Sequence, residues 1–170
     1  IEIVLPPEYE DEIDKCQEQP AKGKTCFEDE EKDITWMTNC QGKDCQAVPF
    51  SVHYMLTQDL GRDHQVRVEA FDNPQFMGEP KSTTYVSSFD ASRTGNKASD
   101  FMFLSQGVYY MRAYLSEKGE QTKPYTYEGM ELVSDSPVGI YGALSDVSKV
   151  IVTDNQVLNP TLPVTIYLDK

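Results

Sequence analysis

Hydrophobic and polar residues alternate in several short segments of the chain from residue 47 onward. In the last of them, Val164, Ile166 and Leu168 alternate with Thr165 and Tyr167. A period of two is typical of a strand that buries one face, and no segment after residue 47 has a convincing helical stripe. We therefore predict strands over 48–56, 65–71, 83–89, 101–104, 108–115, 125–133, 138–144, 149–153 and 164–168.

Turn-forming residues separate these segments. Segment 92–99 is predicted to be a polar loop. Ser105, Gln106 and Gly107 are predicted to join the strands on either side of them into a hairpin, with the glycine supplying a positive φ. Short strands at regular spacing are typical of a sandwich. The pattern therefore predicts an all-β fold, an antiparallel β-sandwich of about seven or eight strands.

The segment 108–115 is apolar on both faces. Its alternation places Tyr110 and Tyr114 on one face with Arg112, and Tyr109 and Met111 on the other. A strand that is apolar on both faces is usually covered on both sides. We therefore predict that 108–115 is a central strand.

The first 46 residues differ from the rest in pattern and in charge. They show little periodic alternation, and they hold 13 of the 28 acidic residues but only 5 of the 15 basic residues. Such a segment can bury little apolar surface by itself. We therefore divide the chain into an acidic, loop-rich N-terminal extension (1–46) and a β-sandwich domain (47–170). Trp36, the only tryptophan, is expected to anchor the extension.

All four cysteines, Cys16, Cys26, Cys40 and Cys45, lie in this extension. An even number of clustered cysteines is typical of disulfides, and the pairs Cys16–Cys26 and Cys40–Cys45 would each close a short loop that contains glycine or proline. Zinc and free thiols are the alternatives, and the four residues between Cys40 and Cys45 fit one zinc knuckle. The nine residues between Cys16 and Cys26 fit it poorly. Disulfides predict an extracytoplasmic location: periplasm, cell surface or medium.

The formal net charge of −13 bears on the class of partner. It argues against a nucleic-acid-binding protein, which needs a basic surface, and against docking on an anionic membrane leaflet. No apolar run approaches the roughly 20 residues of a spanning helix, so we expect no membrane insertion. The chain begins with Ile1 rather than methionine, so it is either trimmed or the processed form of a secreted or lipid-anchored precursor.

Three segments resemble a known family of folds. They are V-R-V-E-A-F-D-N-P-Q-F-M-G-E-P (66–80), F-M-F-L-S-Q-G-V-Y-Y-M-R-A-Y-L (101–115) and P-V-T-I-Y-L-D (163–169). Together they resemble the transthyretin-like (prealbumin-like, carboxypeptidase-regulatory-like) β-sandwich modules of bacterial secreted proteins and lipoproteins. The resemblance implies an immunoglobulin- or transthyretin-like sandwich that serves as an accessory, adhesive or binding module.

The sequence departs from this family at its calcium-binding and hydrolytic sites. Segment 116–120 offers two carboxylates with a lysine between them, whereas calcium takes six to eight oxygens. The hydrolase branch of the family needs several histidines and a C-terminal Tyr-Arg-Gly-Ser, but this chain ends at Asp169 and Lys170. We therefore predict no metal site and no enzyme activity.

The remaining candidates for chemistry have simpler explanations. His53 and His64, the only histidines, are expected to be exposed on a strand or loop, and no hydrolase or nucleotide-binding motif is present. The acidic runs 8–14 and 28–33 are interpreted as solvated surface, with a cation site or a surface for a basic partner as the alternative. No cofactor is predicted. Turn capping is the expected role of the aspartates near strand ends, Asp63, Asp72, Asp90 and Asp100.

Aromatic side chains supply the candidate binding surface: Tyr110, Tyr114, Tyr125, Tyr127 and Trp36. They could contact a glycan or a peptide, or they could instead pack in the core and pair across strands. We predict a non-catalytic, monomeric binding or structural module of a bacterial envelope or secreted protein, whose partner is a protein or a polysaccharide. The alternatives are a calcium-stabilised adhesin-like domain and a hydrolase with carboxylates in a loop.

Overall fold

The computed structural model describes residues 14–15, 25–40, 46–117, 123–127, 130–134, 137–143, 145–153, 156–158 and 162–169. Within these ranges the regular structure is entirely β, which confirms the predicted class. The strands are β1 (Asp14–Lys15), β2 (Thr25–Asp29), β3 (Ile34–Thr38), β4 (Gln46–Tyr54), β5 (His64–Phe71), β6 (Ser82–Phe89), β7 (Lys97–Leu104), β8 (Gly107–Glu117), β9 (Lys123–Tyr127), β10 (Met130–Ser134), β11 (Val138–Ile140), β12 (Gly142–Ala143), β13 (Asp146–Val147), β14 (Val150–Val152), β15 (Val157–Leu158) and β16 (Val164–Leu168).

Most of these strands belong to two sheets. The large sheet has the order β1-β2-β3-β6-β5-β8-β14-β15, with β11 also paired to β8, and the smaller sheet has the order β16-β4-β7. Strands β9 and β10 pair with each other, as do β12 and β13. Among the described pairs, only β16 and β4 are parallel. The antiparallel prediction is therefore wrong for that pair, which joins the end of the chain to an early strand.

The two sheets share one apolar core. Every second residue of β4, β5, β8 and β16 contributes to it, which confirms the alternation in the sequence. The strand β8 pairs with β5 along one edge and with β11 and β14 along the other, so the predicted central strand is confirmed. The residues that these four strands bury in the core are Val48, Phe50, Val52, Tyr54, Val66, Val68, Ala70, Tyr109, Met111, Ala113, Leu115, Val164, Ile166 and Leu168.

The predicted hairpin around residues 105–107 is wrong. Strand β7 pairs with β4 in the smaller sheet, whereas β8 pairs with β5 in the large sheet. The short connection through Ser105 and Gln106 therefore carries the chain from one sheet to the other. Gly107 begins β8 and is not among the glycines with positive φ. The alternation identified both strands correctly, but it carries no information about which strand each one pairs with.

Two other predicted boundaries also change. The single strand predicted over 125–133 is a hairpin of β9 and β10, in which Met130 pairs with Tyr127. The predicted loop 92–99 ends earlier, because β7 begins at Lys97. Strand β7 pairs residue by residue with β4, for example Lys97 with His53, so polar residues extend it beyond its apolar part.

The extension is less loop-rich than predicted. Strands β2 and β3 form a hairpin, and β3 pairs with β6, so this part of the extension continues the large sheet. Trp36 on β3 is 1% exposed, and its ring centroid lies 5.5 Å from that of Phe103 on β7. This burial is what an anchoring residue requires.

Side-chain hydrogen bonds connect the large sheet to β7, an edge strand of the smaller sheet. Trp36 Nε1 and Thr84 Oγ1 both donate to the carbonyl oxygen of Phe101, at 2.9 and 3.0 Å. Thr38 Oγ1 donates to the carbonyl of Phe103. An edge strand presents backbone groups that other chains could pair with. Here side chains of the large sheet occupy two carbonyls of that strand.

Both cysteines within the described ranges are buried. Cys26 is 4% exposed and Cys40 is 0% exposed, and neither is a free thiol. Cys16 and Cys45 lie outside the described residues. The pairs Cys16–Cys26 and Cys40–Cys45 therefore stay a prediction.

Candidate functional site

A groove of about 710 Å³ lies where β4 and β7 of the smaller sheet approach β3 and β6 of the large sheet. Most of its lining is apolar, with lysine, serine and aspartate side chains added. The turn between β2 and β3 and the residue before β16 complete it. The described residues that line the groove are Lys32, Ile34, Pro49, Phe50, Ser51, Val86, Lys97, Ser99, Asp100, Phe101 and Pro163.

Two lysines give the groove its positive charge. Lys32 and Lys97 are exposed, and neither lies within 4 Å of a carboxylate among the residues whose ion pairs the structure describes. The turn that carries Lys32 is held by Asp29, whose Oδ1 accepts hydrogen bonds from the backbone nitrogens of Glu31 and Lys32 at 3.1 and 3.2 Å. Asp29 is 5% exposed. The interpretation of run 28–33 as solvated surface is therefore wrong for Asp29, which organises the turn.

A buried carboxyl group also lines the groove. Asp100 on β7 is 8% exposed, and its Oδ2 accepts a hydrogen bond from Trp36 Nε1 at 2.9 Å. Burial raises the pKa of Asp100, because it penalises the charged carboxylate more than the Trp36 bond and nearby Lys32 favour it. The prediction that Asp100 caps a turn is wrong.

Three polar side chains in and beside the groove form a hydrogen-bonded chain. Ser99 Oγ donates to Ser51 Oγ at 3.3 Å, and Ser51 Oγ lies 3.0 Å from His53 Nε2. The His53 ring packs against Tyr167, with 5.3 Å between the centroids. A serine beside a histidine is the start of a nucleophile–base pair, but catalysis also needs a group that orients the histidine. Among the described residues no recorded hydrogen bond joins a carboxylate to His53.

The predicted aromatic surface does not form as a unit. Trp36 and Tyr114 are 1% and 2% exposed, so neither can present a ring to a ligand. Tyr110 is half-buried and packs beside a cluster of Phe71, Phe76 and Ile140. The side chains of Tyr125 and Tyr127 lie outside the described part of the structure. The alternative, core packing and cross-strand pairing, is correct for Trp36 and Tyr114.

The other candidate residues have local structural roles. His64 is 8% exposed rather than exposed as predicted, and its Nδ1 has no hydrogen-bond partner. Asp90 caps a turn, because its Oδ1 accepts from the backbone nitrogen of Ser92 at 2.9 Å. Hydrogen bonds from the side chain and the backbone of Ser92 lower the pKa of Asp90. The pKa of Asp72 is lowered mainly by its hydrogen bond with Asn73. Turn capping is therefore confirmed for Asp90.

The described residues hold neither a metal-ligating cluster nor a helix that could span a membrane. They contain no group of three or more histidine, cysteine, aspartate or glutamate side chains placed to hold a metal ion. They also contain no helix that is long and apolar enough to cross a membrane.

Reasoning from the sequence missed the groove and its lysines. Lys32 lies in an acidic run and Lys97 in a predicted loop, and nothing in their spacing indicated that they would line one groove. The available signal was the polar character of Ser51 and Ser99, which β4–β7 pairing places side by side. No protein-family model, no curated protein and no solved structure matches this chain.

Proposed function

We propose that this chain is a non-catalytic binding module and that the groove between the two sheets binds an extended segment of a partner protein. The observation that carries the proposal is an apolar groove of about 710 Å³ with Lys32 and Lys97 at its margin. Such a surface complements a segment that carries both apolar and acidic side chains, because opposite charges steer the approach and apolar contact supplies affinity.

The lining favours a protein over a polysaccharide in this groove. Among the described residues that line it, the apolar side chains come from both sheets and the aromatic ones are phenylalanines. A polysaccharide offers hydroxyl groups that need hydrogen-bonding partners, and desolvating them against apolar side chains is unfavourable. An extended peptide instead presents alternate side chains to a surface, which suits apolar and charged residues in turn.

We further propose that the fold is an immunoglobulin- or transthyretin-like β-sandwich of a bacterial envelope or secreted protein. Two sheets that share one core and a strand 108–115 that is paired along both of its edges support this architecture. The supporting arguments for the location are the clustered cysteines and the resemblance of 66–80, 101–115 and 163–169 to modules of that kind. The whole chain, 170 residues with a net charge of −13, is proposed to act as a monomer.

The proposed location depends on two disulfides in the extension. Cys26 and Cys40 are buried and neither is a free thiol, which supports the two disulfides. We expect the unreduced, denatured chain to titrate no free thiol, and peptide mapping to give Cys16–Cys26 and Cys40–Cys45. A result of four thiols would contradict the disulfides. Two other pairs would contradict only the pairing.

Binding in the groove can be followed by the fluorescence of Trp36, the only tryptophan, whose Nε1 bonds to the groove residue Asp100. The probe is a capped peptide of about eight residues in which leucine and glutamate alternate. We expect it to bind, and the double variant Lys32→Glu/Lys97→Glu to weaken binding by about tenfold or more, because two attractive charges become repulsive.

Two controls make this experiment decisive. Lys149→Glu changes the net charge at an exposed position outside the groove and should leave the affinity within about twofold of wild type. The same peptide with lysine in place of glutamate should bind weakly. Equal binding of both peptides, or an unchanged affinity in the double variant, would contradict the proposal. Binding of a neutral polysaccharide in preference to the acidic peptide would contradict the choice of partner.

A further inference from the structure

The outer edge of β7, the edge away from β4, is bonded to the large sheet along only part of its length. The carbonyl oxygens of Phe101 and Phe103 point along this edge, because each accepts a hydrogen bond from a side chain of the large sheet. Backbone groups of alternate residues in a paired strand point to the same side. The backbone N–H and C=O groups of Lys97 and Ser99 therefore also point away from β4.

The hydrogen bonds at the start of β7 agree with this alternation. The backbone nitrogen of Tyr54 on β4 donates to the carbonyl oxygen of Asn96 at 2.8 Å, so Asn96 is a position that faces β4. Ser99 lies an odd number of residues further along and therefore faces the other way. Among the described residues, no recorded hydrogen bond from outside β4 reaches the backbone of Lys97 or Ser99.

Opposite this part of the edge, the large sheet presents apolar side chains. On the face of β3 that supplies donors to the two phenylalanine carbonyls, the next side chain is Ile34. Ile34 pairs with Val86 of β6, and both line the groove together with Ser99. Aliphatic side chains cannot hydrogen-bond, so the backbone of Ser99 gains no partner from these two residues. Lys97 and Ser99 are both exposed, so a ligand in the groove can reach them.

We propose that the partner segment binds by adding to this edge of β7 as an antiparallel strand, so that its main chain exchanges hydrogen bonds with Lys97 and Ser99. This inference rests on the proposed function, because it specifies how the same groove holds its ligand. Strand addition supplies affinity through main-chain bonds, and antiparallel pairs are slightly more stable per residue than parallel ones. The carbonyl of Phe101 is already occupied, so the pairing should end there.

The register of the added strand follows from the alternation of side chains in β7. Lys97 and Ser99 are exposed on the outer face of the smaller sheet, whereas Ala98 and Asp100 are buried on its other face. Residues directly opposite each other in an antiparallel pair project to the same face. An acidic residue of the ligand opposite Lys97 therefore lies beside its ammonium group, and the apolar residues on either side of it turn to the core-facing side. In this register the acidic residues carry the N–H groups that pair with β7.

The test uses the capped peptide of alternating leucine and glutamate in three forms: unmodified, with every glutamate N-methylated, and with every leucine N-methylated. An N-methyl group removes a main-chain donor and leaves the side chain unchanged. We expect glutamate methylation to weaken binding by about 30-fold or more, because the donors to the Lys97 and Ser99 carbonyls are lost. Leucine methylation should change the affinity by less than about threefold, because those N–H groups point away from β7. The fluorescence of Trp36 measures all three affinities.

A matched pair of variants tests the protein side of the same contact. Ser99→Pro removes the outward N–H group, and proline is tolerated in an edge strand where the N–H does not bond to the neighbouring strand. Ser99→Ala removes the same hydroxyl but keeps the N–H. We expect Ser99→Pro to bind the unmodified peptide at least about fivefold more weakly than Ser99→Ala.

Each outcome supports or overturns strand addition. If the unmodified peptide binds wild-type protein but both methylated forms are weakened alike, or neither is weakened, the proposed function stands and strand addition is wrong. Weaker binding of the leucine-methylated form alone would also overturn the antiparallel pairing, as would equal binding by folded Ser99→Pro and Ser99→Ala. If the unmodified peptide does not bind, the proposed function fails together with this inference. The methylated peptides need only wild-type protein, so they decide the question if Ser99→Pro does not fold.

Discussion

The variant Gly139→Ala is expected to destabilise the chain by about 3 kcal/mol or more, or to prevent folding. Gly139 on β11 pairs with Ala113 of β8, and its α-carbon faces the backbone of β16. A β-carbon added there would lie 2.1 Å from the carbonyl oxygen of Tyr167 and 2.7 Å from its carbonyl carbon. Those atoms belong to a paired strand and cannot rotate away, so β11 or β16 must shift.

The comparison variant for Gly139→Ala is Gly61→Ala. Gly61 has a φ of 96°, which disfavours any side chain, but an added β-carbon would meet nothing within 4 Å. We expect this variant to lose only about 1–2 kcal/mol, the strain of the left-handed backbone. Urea denaturation of both variants measures the difference. If Gly139→Ala proves no less stable than Gly61→Ala, the close approach of β11 to β16 is wrong.

The second large effect is expected from breaking the buried ion pair between Arg112 and Glu69. Their side chains are each 10% exposed, and Arg112 Nε donates to Glu69 Oε1 at 3.0 Å. The guanidinium also lies over Phe71, 4.7 Å from the ring centroid. Arg112→Met keeps an apolar side chain in place but leaves the Glu69 carboxylate buried without its partner. We expect a loss of about 3–5 kcal/mol in the free energy of unfolding.

The double variant Arg112→Met/Glu69→Leu distinguishes this charge effect from a loss of packing. Once both charges are replaced by apolar groups, most of the lost stability should return, because no buried carboxylate remains. Arg62→Met is the exposed control: Arg62 and Asp90 lie 3.9 Å apart with side chains 81% and 39% exposed, so it should cost less than about 1 kcal/mol. A double variant as unstable as Arg112→Met would show that the unpaired Glu69 carboxylate is not the cause of the lost stability.

The class of fold and the core-facing side of the main strands could be predicted from the sequence. The period-two pattern of residues such as Val66, Val68 and Val164 identified the core side of their strands, because a strand must turn alternate side chains to opposite faces. It also marked 108–115 as central. In 25–38 the same pattern is present in Ile34, Trp36 and Thr38, but the surrounding acidic residues obscured it, and a pair of sheet strands was predicted as loop.

Most of the candidate site could not be predicted from the sequence. Trp36 and Tyr114 were assigned to a binding surface because amphipathic rings are common in such surfaces, yet both are buried. The residues that line the groove belong to strands β3, β4, β6 and β7 or to the connections beside β3 and β16. Their proximity therefore depends on sheet order and register, which alternation does not encode.

By itself, the sequence determined that this protein is all-β, which residues of its main strands form the core, and that its acidic residues and cysteines are concentrated at one end. Those properties are local, because alternation, turn chemistry and charge are read within a few residues. Only the tertiary structure decided that β7 pairs with β4 rather than with β8 and that β16 runs parallel to β4. It also decided that Lys32 and Lys97 line the same groove. Strand pairing is set by contacts between residues far apart in the chain, and alternation leaves the choice of partner open.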